Sequence, residues 1–197
     1  MDKERFTQQL SFILEADKEK NILRQTHLTG HGRRENDAEH AWHMAIMIYL
    51  LKEYANEPID LAKTMMMALI HDIVEIDAGD TYAYDDKGLE SQKAREEKAA
   101  DRIFGLLPED QRAELRALFE EFEAYETPEA KFARAMDNFQ PLLLNTSNDG
   151  GDWKEHNVTR SKIMSRHSKT ALGSKVIGEY SREIIDEHVR KGNLSGD

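Results

Sequence analysis

An adjacent histidine and aspartate, His71 and Asp72, directly follow the apolar segment 65–70 and precede Ile73 and Val74. The apolar run predicts a buried helix that carries both polar side chains. An ionised carboxylate in such surroundings is destabilising by several kcal/mol unless a cation lies against it. A divalent metal ion satisfies both groups, because imidazole and carboxylate are both metal ligands. The doublet therefore predicts a metal site whose other ligands come from distant parts of the chain.

Further candidate ligands lie on two other predicted helices. The helical period places His40 at the N-terminal end of an apolar stripe that continues through Met44 and Ile48, so His40 faces inward. Asp137 stands beside an apolar stripe of a later helix and also needs a cation. His43 competes with His40, and either histidine, taken alone, is more often a buried core residue than a ligand. The order His, His-Asp, Asp on separate helices is typical of a metal site in the core of a helical bundle.

The ordered set of His40, His71, Asp72 and Asp137 resembles the metal-ligand pattern of the HD-domain phosphohydrolases. The resemblance covers roughly residues 10 to 145, and the ordered set is far more specific than the His-Asp doublet alone. It implies an all-α helical bundle with a metal site in its core and activity on phosphate esters. We expect residues 1–197 to form a single domain of this type, with C-terminal helices over 152–191 packed on it.

Three further positions resemble the bacterial 5'-deoxynucleotidase branch of that family, and one departs from it. Glu75 and Asp80 resemble its acidic positions, and Arg24 resembles an arginine that meets the substrate phosphate. This resemblance implies a phosphomonoesterase acting on nucleoside 5'-monophosphates, with Glu75 and Asp80 as catalytic residues and Arg24 as the substrate-binding residue. Gln25 stands where the best-known deoxynucleotidases have a tryptophan that helps to select deoxyribose. The difference predicts weaker discrimination between ribose and deoxyribose.

General metal chemistry describes what the two acids can do. An open metal site lowers the pKa of a water molecule and polarises a phosphoryl group. Glu75 lies one helical turn beyond Asp72, so it can take a proton from that water or orient it. Asp80 can do the same or protonate the leaving oxygen. The four ligands predict one divalent ion, and imidazole with carboxylate suits Mn, Co, Fe, Ni or Zn without selecting among them.

Two alternative functions remain open from the sequence. The same site fits an enzyme that cleaves a pyrophosphate or phosphodiester bond of another nucleotide. It also fits a metal-stabilised nucleotide-binding protein without turnover, although Glu75 and Asp80 argue against this because a purely structural metal does not need them. A basic segment, 154–175, is either a solvated surface or a wall that meets an anionic substrate; we expect a solvated surface.

Composition excludes several classes of protein. The 197 residues suffice for one domain with a substantial core. A net charge of -11 argues against bulk nucleic acid as a partner, because duplex binding depends on basic residues that neutralise phosphates. The absence of cysteine excludes disulfides and thiolate metal sites. With no apolar signal region and no membrane span, we expect a soluble cytoplasmic protein, with homodimer formation left open.

Helical periodicity predicts the remaining elements, and no stretch alternates with period two as a strand would. The predicted helices cover 2–16, 37–55, 60–76, 89–106 and 109–124, with another opening at Thr127 and Pro128. The segments 17–36 and 76–86 are expected to be irregular. The N-terminal helix should close over the core with Phe6, Leu10, Ile13 and Leu14. The tail, 192–197, is expected to be disordered.

Overall fold

The structure, a computed structural model, describes residues 2–83 and 86–196. In chain order, the helices of these ranges are α1 (Lys3–Ala16), α2 (Asp37–Leu51), α3 (Leu61–Ile70), α4 (Glu75–Ala78), α5 (Asp86–Phe104), α6 (Glu109–Ala124), α7 (Pro128–Ser147), α8 (Gly151–Glu155), α9 (Arg160–His167), α10 (Thr170–Gly173) and α11 (Lys175–Arg190). Two short strands, β1 (Leu23–His27) and β2 (Arg34–Asn36), form an antiparallel hairpin. The predicted all-α class is confirmed, and the hairpin is an addition inside the segment expected to be irregular.

The sequence predicts no membrane span and an irregular segment over 76–86. Within the described residues, none of the helices is both long enough and apolar enough to cross a membrane. The predicted loop over 76–86 begins inside α4, which Gly79 ends with a φ of +75°. Residues 84 and 85 of that loop lie outside the described ranges.

The helices α2, α3 and α7 pack around the largest apolar cluster of the molecule. Asp60 and Thr127 cap α3 and α7, as their sequence positions predict. At the start of α2, Asn36 accepts the Glu39 N–H and the Glu39 side chain accepts the Asn36 N–H, which forms a capping box. The largest fully buried side chains on these helices include Met44, Ile48, Met67, Phe132 and Met136. Caps and core together fix the three helix segments that carry the candidate ligands.

The helix predicted over 60–76 is divided in two. The helix α3 ends at Ile70, and the His71 N–H still donates to the Met67 carbonyl at 3.0 Å. A turn then leads into the short helix α4. The interruption places the His71–Asp72 doublet and Glu75 on consecutive turns at the edge of the core.

The hairpin is held by the end of α7. The His31 N–H donates to Asn148 Oδ1 at 2.9 Å, and Asn148 Nδ2 donates to the carbonyls of His27 and Leu28 at 3.2 and 2.9 Å. His31 adopts a positive φ of 56° and follows Gly30 at 73°. Tertiary hydrogen bonds rather than alternating apolar side chains stabilise these strands, which explains why period-two patterning does not predict them.

The prediction that the N-terminal helix packs on the core through its apolar face is wrong. Ile13 and Leu14 are 60% and 71% exposed. Instead, Phe12 stacks on Phe104 with ring centroids 6.4 Å apart. An ion pair between Arg5 and an aspartate of α6 adds a second attachment. The helix lies against α5 and α6 through a face that carries fewer apolar residues than the exposed one.

The C-terminal helices pack closely on α7. Gly173 lies so near this helix that a Cβ atom would be 2.1 Å from the Lys131 carbonyl oxygen. The expectation of a disordered tail is wrong for residues 192–196, because Leu194 is 4% exposed within the main apolar cluster and Ser195 pairs with Thr159. Residue 197 of that tail lies outside the described residues. The basic segment 154–175 is therefore fixed relative to the core.

Candidate metal centre and the cavity beside it

The four predicted ligands converge where α2, α7 and the end of α3 meet. His40 Nε2 lies 3.2 Å from Asp137 Oδ1, and His71 Nε2 lies 3.1 Å from Asp72 Oδ2 and 3.8 Å from Asp137 Oδ1. One potential ligand atom from each of His40, His71 and Asp72 lies within 4.8 Å of the others. His40, His71 and Asp137 are buried. Helices separated by up to 97 residues thus bring two imidazoles and two carboxylates together.

The two imidazole rings are oriented by acceptors at their other nitrogen. His40 Nδ1 donates to Gln140 Oε1 at 3.0 Å, and His71 Nδ1 donates to the Ala68 carbonyl at 2.8 Å. Each Nε2 therefore faces the cluster. Although a carboxylate is close, His71 Nε2 is buried without a hydrogen bond among the described residues. Histidines that bind metals are oriented in this way, with one ring nitrogen fixed by a neighbour and the other directed at the ion.

The protonation of the cluster is set by competition between burial and charge. Burial lowers the pKa of His40 to about 4. Burial also lowers the pKa of His71, but the carboxylates of Asp72 and Asp137 outweigh this effect and raise it to about 10. Burial opposes ionisation of both carboxyls, yet the neighbouring histidines hold the pKa of Asp72 and of Asp137 below the usual range. Without an ion, the proton on His71 is the positive charge that balances these two ionised carboxylates; a divalent cation bound between them would take the place of that proton.

A second group of carboxylates adjoins the first and shares Asp72 with it. Oxygens of Asp37, Asp72 and Glu75 lie within 4.8 Å of one another. Arg24 reaches this group from β1, and its Nη1 donates to Asp72 Oδ2 at 2.6 Å and to Asp37 Oδ1 at 3.1 Å. The Arg24 side chain is only 11% exposed. Its guanidinium is the cation that compensates these acids.

One guanidinium does not suffice to ionise every acid around it. Burial, together with the charge of Asp72, raises the pKa of Glu75 to about 12 and that of Asp37 to about 7. Burial also raises the pKa of Glu35 to about 7, even though Arg24 opposes the shift. Asp80 shows a raised pKa for the same reason, with Arg24 again opposing it. These carboxyls retain protons at a higher pH than exposed acids do.

A cavity opens beside the cluster. The predicted residues Arg24, Asp72, Glu75, Asp80 and Asp137 all line it. The C-terminal helices supply another part of its wall, through Trp153, Ile163, Arg166 and His167. The cavity thus joins the candidate ligands, the two candidate catalytic acids and the candidate substrate-binding arginine in one space.

Several residues of this network are not among the sequence candidates. Asp37 and Gln140 each lie three residues from a predicted ligand on the same helix, and this spacing is the signal that could have revealed them. Gln140 Nε2 donates to Glu35 Oε1 at 2.6 Å and to His43 Nδ1 at 3.1 Å. His43, the rival of His40, therefore contacts the amide behind the cluster rather than the cluster itself. No sequence pattern identifies Glu35 as part of this network, because it lies in the hairpin.

Known proteins share sequence with this chain over most of its length. The sequence model of the HD domain family matches residues 16–176. The 5'-deoxynucleotidase HDDC2 of Homo sapiens is 35% identical over 111 residues, which are 56% of this chain and 53% of that protein. The protein of the same name from Bos taurus is 34% identical over 168 residues, 82% of this chain and 75% of that protein. The chain thus spans about half the length of the human relative that it matches.

A solved structure shares the fold. The crystal structure of a predicted metal-dependent phosphohydrolase from Magnetospirillum magnetotacticum MS-1 aligns with a TM-score of 0.93 and 53% sequence identity. The alignment covers 98% of this chain and 96% of the other. The arrangement of helices described above is therefore shared along nearly the whole of both chains.

Proposed function

Because this chain belongs to the HD domain family, we propose that it is a metal-dependent phosphohydrolase that acts on nucleoside 5'-monophosphates. In this reaction water adds to phosphorus, the bond to the 5'-oxygen breaks, and a nucleoside and inorganic phosphate are released. The names of the human and bovine relatives support a 5'-nucleotidase, and that of the solved neighbour supports a phosphohydrolase. We further propose that residues 1–197 act as one domain.

The observation that carries this proposal is the orientation of the two histidines over two ionised carboxylates. Both rings have Nδ1 engaged by an acceptor and Nε2 directed at the cluster. A cluster with only structural hydrogen bonds would not leave His71 Nε2 buried without one. The donor set of two imidazole nitrogens and two carboxylates fits a divalent transition metal.

We propose that His40, His71, Asp72 and Asp137 hold one divalent ion, drawn from Mn, Co, Fe, Ni and Zn. When bound, such an ion polarises the phosphoryl group and lowers the pKa of a water molecule. The adjoining group of Asp37, Asp72 and Glu75 already encloses the guanidinium of Arg24. We therefore assign that group to Arg24 rather than to a second ion.

Arg24 is proposed to bind the 5'-phosphate. It lines the cavity and contacts Asp72, so a phosphate held at the cluster comes within reach of its guanidinium. Arginine suits this role because its planar donors match phosphate oxygens. In a protein with a net charge of -11, a dianionic substrate requires such a local cation.

Glu75 and Asp80 are proposed to move the protons. Both line the cavity, and burial raises the pKa of both carboxyls. An acid that keeps its proton near neutral pH can give it to a leaving 5'-oxygen, and its conjugate base can accept one from water. The raised pKa values fit both tasks and leave the division between the two residues to experiment.

The direct test is a metal analysis of the purified protein combined with a screen for phosphate release over nucleotides. We expect about one divalent ion per chain and release of phosphate from nucleoside 5'-monophosphates. Cleavage of only pyrophosphate or phosphodiester bonds would replace the phosphomonoesterase proposal. Bound metal without phosphate release from any nucleotide would favour the alternative of a nucleotide-binding protein without turnover.

Two variants separate substrate binding from chemistry. Arg24→Gln should raise KM more than it lowers kcat if the contact is equally strong in the ground and transition states, whereas Glu75→Ala should chiefly lower kcat. Arg33→Gln is a suitable control, because Arg33 lies in the same hairpin as Arg24 and pairs with Glu39 at the surface. Equal kinetic effects of Arg24→Gln and Arg33→Gln would contradict a specific role for Arg24.

The sugar preference of the protein tests whether Gln25, in place of tryptophan, weakens discrimination between ribose and deoxyribose. This side chain lines the cavity, and its Oε1 accepts a hydrogen bond from Arg34 at 2.7 Å. We expect weak discrimination between matched ribose and deoxyribose monophosphates, measured as a ratio of kcat/KM. A preference of several hundredfold for the deoxy form, roughly 3 to 4 kcal/mol, would show that another residue reads the sugar. The cytoplasmic location and the homodimer remain predictions.

A further inference from the structure

We propose that Arg166, on α9, is a second phosphate-binding residue and that the C-terminal segment is therefore part of the active site. The inference rests on the proposed function, because it concerns the substrate of the same cavity. Arg166 lines that cavity, and its Nη2 lies 3.6 Å from Asp137 Oδ2. Arg24 contacts Asp72, so the two guanidiniums flank the metal cluster at two different carboxylates.

Arg166 is the least committed of the three arginines in the cavity wall. Arg24 donates to Asp37 and Asp72. Arg134 donates to Glu123 at 2.6 Å, and its guanidinium lies 4.0 Å from the centre of the Phe122 ring. Within residues 2–83 and 86–196, Arg166 makes no hydrogen bond, and its one ion pair is the 3.6 Å contact with Asp137. Its donors are thus available to an incoming anion.

The charge of the cavity makes such a cation necessary. The acids Asp72, Glu75, Asp80, Asp137 and Asp152 line the same space. A phosphate dianion that enters is repelled by whichever of these are ionised. Arg24 is already shared between two carboxylates, so it offsets only part of this repulsion. A second guanidinium with uncommitted donors supplies the remainder, and the two planar groups together can bind several phosphate oxygens.

The geometry of α9 explains why Arg166 differs from the other basic residues of 154–175. Ile163 is buried, and Arg166 follows it by three residues, so both lie on the face of α9 that packs inward. The Arg166 side chain is 31% exposed, as expected for a residue at the mouth of a cavity. Arg160, on the same helix, pairs instead with Asp186 at the surface. The lysines of the segment are exposed, whereas Arg166 lines the cavity.

The experiment compares Arg166→Gln and Arg166→Lys with Arg160→Gln, a matched removal of charge from the same helix. Each metal-loaded protein is assayed for metal content, for KM and kcat with a nucleoside 5'-monophosphate, and for the Kd of inorganic phosphate by calorimetry. We expect Arg166→Gln to raise KM and the phosphate Kd by roughly 10- to 100-fold, because charge-assisted hydrogen bonds are lost. Arg166→Lys should fall in between, since it keeps the charge without the planar donors. Arg160→Gln should match the unmodified protein.

The outcomes separate this inference from the proposed function. If Arg166→Gln binds phosphate as tightly as the unmodified protein, the inference is overturned while the phosphohydrolase proposal stands. If its loss of phosphate binding matches a loss of metal, Arg166 acts only by stabilising Asp137, and the inference is also overturned. If the unmodified protein releases phosphate from no nucleotide, the proposed function fails, and the calorimetric comparison still decides whether Arg166 binds phosphate.

Discussion

The buried polar network has two sides, which differ in how their carboxylates are compensated. On the ionised side, His40 and His71 face Asp72 and Asp137, and both acids have lowered pKa values. On the protonated side, Arg24 faces acids with raised pKa values, which are Glu19, Glu35, Asp37 and Glu75. The two sides share Asp72. Burial is similar on both, so the number of cations or imidazoles per carboxylate decides which acids are ionised.

This difference in ionisation suits the two sides of the network to different roles. Ionised carboxylates beside imidazoles suit the metal-ligand role that we propose for Asp72 and Asp137, because a carboxylate must be deprotonated to bind. Carboxyls that keep their protons suit the proton-donor role that we propose for Glu75, an oxygen of which lies within 4.8 Å of one of Asp72. A single buried network can thus supply both a cation site and a proton source, provided that the compensating charges are unevenly distributed.

The largest effect is expected from Asp137→Ala, which removes a carboxylate from the ionised side. The variant should lose metal by more than the roughly 10- to 100-fold that loss of a supporting contact costs, and phosphate release should fall with it. Because His71, Arg134 and Arg166 then lose their shared counter-ion, unfolding free energy should also fall by about 3 to 5 kcal/mol. Metal content, activity and denaturant unfolding measure the three effects.

A surface carboxylate provides the control for that variant. Asp101 pairs with Arg116 and has a side chain that is 78% exposed. Asp101→Ala should retain metal and activity and should change stability by less than about 1 kcal/mol. If Asp137→Ala keeps full metal content and activity, the four-ligand assignment is wrong.

A smaller effect is expected when the metal is removed from the unmodified protein. An ion that binds only the folded state stabilises it by about 2.7 kcal/mol at a concentration 100 times its Kd. For a chain of this length, that corresponds to a fall of about 5 to 10 °C in Tm on chelation. Asp137→Ala should show almost no shift with the same chelator. An unchanged Tm in the unmodified protein would argue against a buried metal.

The ionised side was more predictable from the sequence than the protonated side. His40, the His71–Asp72 doublet and Asp137 each interrupt or border an apolar helical stripe, and such an interruption is visible without a structure. Asp37 opens a helix, where an acid is ordinary. Glu35 lies in a hairpin held by Asn148, and nothing in its neighbourhood distinguishes it. Pairing that depends on contacts more than 100 residues apart leaves little local signal.

Prediction of the fold from the sequence is limited in the same way, because long-range contacts leave little local signal. Caps and apolar periodicity predicted α2, α3, α6 and the start of α7, because those signals are local. The packing face of α1 and the order of the tail were predicted wrongly. In both, a tertiary partner decides the outcome: Phe104 receives Phe12, and the main core receives Leu194. Likewise, the basic character of 154–175 was visible, but only the packing of Ile163 singles out Arg166.

The smallest effect concerns Glu19, on the protonated side, in the turn that follows α1. Burial, with the charge of Asp72, raises the pKa of Glu19 to about 8, while His71 and Arg24 oppose the shift. The carboxyl is 7% exposed, and its Oε1 has no hydrogen-bond partner in the described part of the chain. The folded state therefore keeps a proton that the unfolded state releases above its ordinary pKa of 4.5.

This proton gives a definite sign to the pH dependence of Glu19→Gln. Between pH 5.5 and 6.5 the unfolded state binds fewer protons than the folded state, so the free energy of unfolding falls as pH rises. The slope from this group is at most about 1.4 kcal/mol per pH unit. Glutamine lacks it, so the variant should gain about 1 kcal/mol relative to the unmodified protein across that window, measured by denaturant unfolding at both pH values. Slopes from Glu35 and Asp37 are common to both proteins and cancel.

Glu15→Gln is the control. Lys18 and Arg102 lower the pKa of Glu15, so this residue adds no pH dependence to the free energy of unfolding in this window. A difference that stays constant as pH rises would show that Glu19 is ionised in the folded state, like Glu15, and that the two sides of the network are compensated alike.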